Sequence, residues 1–258
     1  MKLRVRAQLT YRFDPPTDAI YKMQVAHWPG QHILEETLTF DPSVAFNEDE
    51  HADSGSRTLR CHVEGEVTLS YEAVVENGQL QDLSLNVAQH DWNELPADVL
   101  PYLSPSRYCP SDQFGRFATR QFGDTSGGAR VSAILDWIAA NIDYERGVSD
   151  TETTAARTFI DRAGVCRDFT HLGITLCRAS GIPARAVSAY ALQLEPPDFH
   201  AVFEVWLNHS WWLVDPTRLA PVAGLVRIAS GRDAADIAFL TTQERCEVIR
   251  QVVTVTPA

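Results

Sequence analysis

His200-Ala201-Val202-Phe203-Glu204-Val205-Trp206-Leu207-Asn208-His209-Ser210-Trp211-Trp212-Leu213-Val214-Asp215-Pro216 is the run on which the reading of this chain turns. Residues 201–207 alternate Val202, Glu204 and Trp206 with Phe203, Val205 and Leu207, the period of a strand. A second strand spans 210–214. Only Asn208 and His209 separate the two, so the strands must be antiparallel neighbours. The start of the first then lies beside the end of the second, which brings His200 and Asp215 within reach of a side-chain hydrogen bond. Taken singly, an Asp before Pro is commonly a turn former and a loop His commonly a surface residue. Paired across one hairpin they gain a chemical meaning. A carboxylate on one ring nitrogen sets the tautomer and leaves the other nitrogen free to move a proton.

Such a histidine needs a nucleophile to activate. The chain has five cysteines, Cys61, Cys109, Cys166, Cys177 and Cys246. Their odd number, wide spacing and lack of a CxxC pair argue against a disulfide framework or a structural zinc site, and no metal or other cofactor is expected. A free cysteine is ordinarily a small buried apolar residue. Cys166 differs because it opens a helix, where unpaired N–H groups and the positive end of the dipole favour a thiolate. Gly164 just before it lets the chain turn tightly. Cys177, on the same helix, lies about 16 Å away by helix rise and reads as core. Five of the eight histidines fall in the first hundred residues. His171 is rotated roughly 140° around the helix from Cys166, and His209 sits in the hairpin turn. The expected catalytic set is therefore Cys166, His200 and Asp215.

Outward from this centre the chain divides in two. Residues 3–13 alternate Leu3, Val5, Ala7, Leu9, Tyr11 and Phe13 with polar residues, and shorter strand patterns follow at 33–40, 58–63 and 67–75. Asp41-Pro42-Ser43 and the polar stretch 47–57 mark turns between them. An antiparallel sheet or small sandwich is expected, a β-rich domain over residues 1–105. Pro96, Pro101, Pro105 and Pro110 interrupt residues 95–115, which read as a linker. Beyond it the period changes. Val131, Ile134, Leu135, Ile138 and Ile142 recur at helical spacing over 129–142. A second helix is expected from a Thr151 cap through Ile160, ending by Gly164, and a third from Cys166 until Gly181-Ile182-Pro183. Strands at 186–194, 201–207, 210–214 and 248–256 complete a second domain, residues 116–258, of helices followed by an antiparallel sheet. The fold class is α+β.

Composition narrows the partners. Lys and Arg number 22 against 34 acids, a net charge of −12. That charge disfavours nucleic acid and anionic membranes. No apolar run reaches the ~18 residues of a membrane helix. Lys2, Arg4 and Arg6 alternate with Leu3, Val5 and Ala7 instead of preceding an apolar stretch, so a cytoplasmic protein without a leader is expected. The oligomeric state stays open.

The motifs together resemble a family. Ala163-Gly164-Val165-Cys166-Arg167-Asp168-Phe169-Thr170-His171-Leu172 is similar to the nucleophile motif of the transglutaminase-like superfamily, and Gly181-Ile182-Pro183-Ala184-Arg185 to the segment after it. Asp198-Phe199-His200-Ala201 and Trp211-Trp212-Leu213-Val214-Asp215-Pro216-Thr217 resemble its His and Asp motifs. Gly231-Arg232-Asp233-Ala234-Ala235-Asp236 resembles a late segment of bacterial members, so the likeness spans about residues 129–240. The β-rich first part resembles the region that accompanies them. The resemblance implies a papain-like core with the nucleophile on a helix and the His and Asp on the adjacent sheet. It implies acyl transfer on a peptide or protein substrate, with Cys166 attacking a carboxamide or peptide carbonyl. Hydrolysis by a cysteine protease or amidase is the preferred outcome. Transfer of a glutamine γ-glutamyl group to an amine, or an inactive binding module, are the alternatives. No DxDxDG calcium loop points to a calcium-regulated cross-linker. The Cys166 N–H is the expected oxyanion donor, the second donor is unassigned, and Trp137, Tyr144 and Tyr190 are candidates to line the cleft that read first as core aromatics.

Overall fold

A computed structural model describes residues 1–78 and 82–258. Its first part is built on two long strands, β1 (Lys2–Tyr21) and β4 (Arg57–Asn77), with β2 (Gln31–Asp41) and β3 (Phe46–Glu50) along the far edge of β4. All pairings are antiparallel. The alternation in residues 3–13 does what its period requires: Leu3, Val5, Leu9 and Phe13 are buried on one face. The segments expected at 58–63 and 67–75 are a single strand, bent at Gly65. That glycine adopts φ +68° opposite Phe13, where the register shifts. β3 forms inside the stretch expected to be a polar turn. It carries no hydrophobic alternation, and its acids are held from β4 instead, Glu48 by Arg57 (2.7 Å) and Asp49 by Arg60 (2.5 Å). The N-terminal region is thus one sheet and not a sandwich of two.

The second part begins with α1 (Gly115–Phe122) and α2 (Gly127–Asn141), then β5 (Asp143–Tyr144), α3 (Ala155–Asp161), β6 (Ala163–Gly164) and α4 (Cys166–Ala179). β7 (Ala184–Ala191), β8 (Phe199–Leu207), β9 (Ser210–Val214) and β10 (Leu225–Gly231) form an antiparallel sheet in the order β10-β7-β8-β9. α4 lies on β8, and Gly173 lets it come close: a Cβ there would fall 2.5 Å from Phe203 Cε1. α3 starts later than expected. Its cap is Thr154, whose hydroxyl accepts the Arg157 N–H, and it ends in a left-handed Arg162 rather than at Gly164.

Two expectations about the joints are corrected. Residues 95–115 are irregular, as their prolines require, but they are no free linker. Val99 and Cys109 are fully buried, and Arg178 of α4 donates to Ser104 O and Ser106 Oγ, both at 3.0 Å. The strand expected at 248–256 forms as β12 (Cys246–Pro257), yet it pairs with β1 and not with the strands nearest it in sequence. After α5 (Ala234–Ile237), β11 (Leu240–Thr242) joins the same edge of β1. The physical reason is that β1 would otherwise present a row of unpaired N–H and C=O groups along this edge, and the later strands satisfy them. One large core cluster runs through both parts, and a smaller one gathers around Val187, Val202 and Leu213. Tyr190 of β7 stacks on Tyr71 of β4 with ring centroids 6.4 Å apart and donates its hydroxyl to Met23 O at 2.7 Å. Among the described residues no helix is long and apolar enough to cross a membrane.

Candidate active site

Cys166 is the first residue of α4, and the turn before it is held from three sides. Gly164 pairs in parallel with Tyr144, and the Glu145 N–H donates to Gly164 O at 2.9 Å. Asp168, fully buried in the first turn of the helix, accepts the Val165 N–H at 2.8 Å. A carboxylate there satisfies an end-of-helix donor and suits the dipole. The glycine is needed for room, since a Cβ on Gly164 would lie 2.6 Å from Asp168 Cβ. Cys166 itself is partly exposed to a cleft. Burial pushes three other thiols up, Cys61 to about 11, Cys109 to about 12 and Cys177 further still, so these remain protonated core residues.

His200 stands at the mouth of β8 and is 1% exposed. The β8–β9 turn is the two-residue kind, with Asn208 and His209 both at positive φ. Continuing the register of this hairpin beyond Val214 puts Thr217 opposite His200 and Asp215 one diagonal step away. The expected contact is present: His200 Nε2 lies 2.9 Å from Asp215 Oδ2. Asp215 is held on every side. Its Oδ1 accepts from the Thr217 N–H (2.9 Å) and hydroxyl (2.7 Å), and its Oδ2 also accepts the Ala220 N–H (3.1 Å). His200 Nδ1, by contrast, is buried without a hydrogen-bond partner among the described residues. Burial alone would lower the imidazole's pKa. The hydrogen bond to Asp215 and the closeness of Asp215 and Cys166 outweigh it and push the ring up to about 9. Burial likewise disfavours the Asp215 carboxylate, but His200 and Thr217 hold it below the usual range.

The structure brings Cys166 and His200 to the same cleft of about 550 Å³, walled by β7, β8, α5, β11 and β12 together with Tyr11 of β1. The N-terminal sheet therefore borders the site. Of the three aromatics, Trp137 packs against Phe159 and Phe117 and Tyr190 is fully buried, both as core. Tyr144 is different. It is 39% exposed and lines a second opening with Cys166 and His200. Burial first, and then the adjacent Cys166, push its phenol up to about 12. β5 places it there by pairing with Gly164, a contact that strands of two residues do not announce in a sequence. Thr217 and the Ala220 N–H are further members of the site that the sequence reading misses, although Asp-Pro-Thr directly after a strand is a turn in which such bonds form. His171, excluded by its angle around the helix, is indeed elsewhere: it stacks on Tyr108 and accepts the Ala234 N–H at 3.1 Å.

Known proteins resemble both parts of the chain. Residues 116–216 match the model of the transglutaminase-like superfamily, and residues 1–89 that of the bacterial transglutaminase N-terminal domain. A candidate cysteine protease from Cytophaga hutchinsonii, known from its crystal structure, is 38% identical. The alignment covers 99% of this chain and 90% of that one with a TM-score of 0.92. An uncharacterised protein of Mycobacterium leprae is 27% identical over 193 residues, 68% of this chain and 67% of that protein. One of Mycobacterium bovis is 30% identical over 115 residues, 39% of this chain and 37% of that protein.

Proposed function

Because the chain belongs to the transglutaminase-like superfamily, we propose that it is a thiol-dependent acyl-transfer enzyme working through Cys166, His200 and Asp215. We further propose water as the acyl acceptor, which makes it a cysteine protease or amidase acting on a peptide or protein. The observation that carries the reading is the asymmetry of His200: Nε2 is tied to a fully bonded carboxylate, and buried Nδ1 has no hydrogen-bond partner among the described residues, in the cleft that holds Cys166.

In this mechanism Asp215 keeps the imidazole oriented and stabilises its cation, so that Cys166 reacts as a thiolate beside it. The Sγ lone pair forms a bond to the substrate carbonyl carbon, and the carbonyl π electrons move to oxygen. The Cys166 N–H at the start of α4 donates to that oxyanion. We assign the second donor to the Tyr144 hydroxyl, which adjoins Cys166. Collapse breaks the C–N bond while His200 Nδ1 passes its proton to the departing amine. Water then adds to the thioester carbonyl, its proton going to Nδ1. The C–S bond breaks, and the acid and the starting ion pair are released. Water is favoured over an amine acceptor by the likeness to the Cytophaga hutchinsonii protein.

The test uses no natural substrate. Near pH 6.5, iodoacetamide should alkylate Cys166 at least about tenfold faster in the native protein than in His200→Ala, since only the thiolate reacts and its cationic partner is gone. 4-Nitrophenyl acetate should leave an acetyl group on the peptide containing Cys166, and hydroxylamine should remove it. Equal alkylation rates together with no acetyl adduct would sink the reading. Adding a primary amine to the acetylated protein separates the two acceptors: free acetate means hydrolysis, an acetamide means transfer.

A further inference from the structure

The cleft beside Cys166 contains surface that the triad does not use. Phe199 and Phe239 stack with centroids 4.0 Å apart and an interplanar angle of 24°. Ile237, Leu240 and Val248 surround them. Val248 is informative because of its strand. In β12, Val248 opposes Tyr11, Gln251 opposes Leu9 and Val253 opposes Ala7. Directly opposed residues of an antiparallel pair share a face, so Val248 and Val253 both point to the core side. Val253 is 3% exposed and Val248 is 59% exposed. The same face of one strand is thus covered at one position and bare at the other, and the cleft is what opens beneath the bare one.

The charged groups lining this space each make two hydrogen bonds to their neighbours. Asp198 accepts from Gln251 Nε2 at 2.7 Å and from the Phe199 N–H at 2.8 Å. Arg167 donates to Asp150 O at 2.6 Å and to Ser149 Oγ at 3.3 Å. Three buried polar atoms of the lining have no hydrogen-bond partner among the described residues: His200 Nδ1, which belongs to the triad, Arg167 Nε, and Ser188 Oγ, on a residue 1% exposed. Mostly apolar walls with a few polar groups fix a ligand by shape and orient it by hydrogen bonds.

We infer that this cleft seats an aromatic or large aliphatic side chain of the substrate residue next to the bond Cys166 attacks, with β12 as its outer wall and Ser188 Oγ bonding the substrate main chain. The inference rests on the acyl-transfer reading above and adds the class of substrate to it. It also gives the return of the chain's end to β1 a chemical consequence, because residues far downstream of the nucleophile then shape what the nucleophile meets.

Two series of alkylating probes test it. Acetyl-X chloromethyl ketones place side chain X on the acyl side of the thiol, and chloroacetyl-X amides place it on the leaving-group side. With X as Phe, Leu, Gly, Glu or Lys, the rate at Cys166 is followed by peptide mass spectrometry and divided by the iodoacetamide rate. In one series Phe and Leu should exceed Gly, Glu and Lys by about tenfold or more, a contrast that apolar pockets ordinarily reach. Val248→Asp should abolish most of that contrast once each rate is divided by the iodoacetamide rate of the same variant. Val248 is more than half exposed, so the variant keeps its fold. Flat rates in both series, or a preference that Val248→Asp leaves intact, would overturn the inference. An iodoacetamide rate indifferent to His200→Ala would instead strike the acyl-transfer reading, while the two series still report the side-chain preference.

Discussion

Asp215 and Glu204 are two buried carboxylates of the same four-stranded sheet, and each holds a cation. Glu204 is fully buried on β8, where its Oε2 receives Arg185 Nε at 2.9 Å and its Oε1 receives Arg227 Nε at 2.7 Å. Trp211 stacks over the Arg185 guanidinium at 4.1 Å, and Trp28 flanks both arginines. Arginine has no proton to give up in any ordinary pH range. That cluster can hold charge but cannot move it. Asp215 is bonded just as fully, but its cation is an imidazole with a second nitrogen uncommitted. Burying a charge requires only that its partners be present. Chemistry requires in addition that one atom be left without any.

Breaking the Asp215 side of this comparison should have the largest effect. Asp215→Asn keeps the shape but lets the imidazole choose the wrong tautomer, and turnover of an activated acyl ester should fall on the order of 10³–10⁴-fold. The same variant has a signature in stability. His200 titrates at about 9 in the folded protein against 6.5 as its ordinary value. A raised pKa means that its stabilisation is complete below about pH 6.5 and is lost as pH rises through about 9. Urea unfolding across that window should show this loss in the native protein and little of it in Asp215→Asn. An unchanged slope would mean that Asp215 is not what holds the cation.

Breaking the Glu204 side should separate structure from activity. Glu204→Gln leaves two buried guanidiniums without their shared anion, which costs about 3–5 kcal/mol when a buried pair is broken. Urea unfolding measures that loss. The iodoacetamide rate at Cys166, per folded molecule, should stay within about twofold. A rate that fell with stability would show that the two carboxylates are one network and not two.

The same contrast governs how much of the molecule is legible in its amino-acid order. The His200–Asp215 pair is legible because a two-residue turn leaves a hairpin only one register, and the helix over Cys166 is legible from its period. Glu204 reads only as an alternating strand residue. Its partners Arg185 and Arg227 come from β7 and β10, and which strands adjoin is a matter of long-range topology that local pattern does not carry. The pairing of β12 is hidden for the same reason. Its strand period is plain, but its partner lies at the other end of the chain, and nothing near residue 250 marks it. β3 is hidden because charge pairs, rather than hydrophobic alternation, hold it.

Tyr144 offers the smallest and sharpest contrast. Its phenol adjoins Cys166, so it could act on the thiolate or on the oxyanion that forms later. These roles separate in two measurements on Tyr144→Phe. Alkylation by iodoacetamide is a displacement at a saturated carbon and creates no oxyanion, whereas acylation by 4-nitrophenyl acetate does. A donor to the oxyanion predicts acylation slower by about 10²-fold, the low end for losing one such donor, with alkylation unchanged. A role on the thiolate predicts that both rates move together. Because Tyr144 is substantially exposed and joined to the site through the main chain of β5, removing one oxygen should leave the turn at Gly164 in place. The ratio of the two rates therefore reports where in the reaction the hydroxyl works.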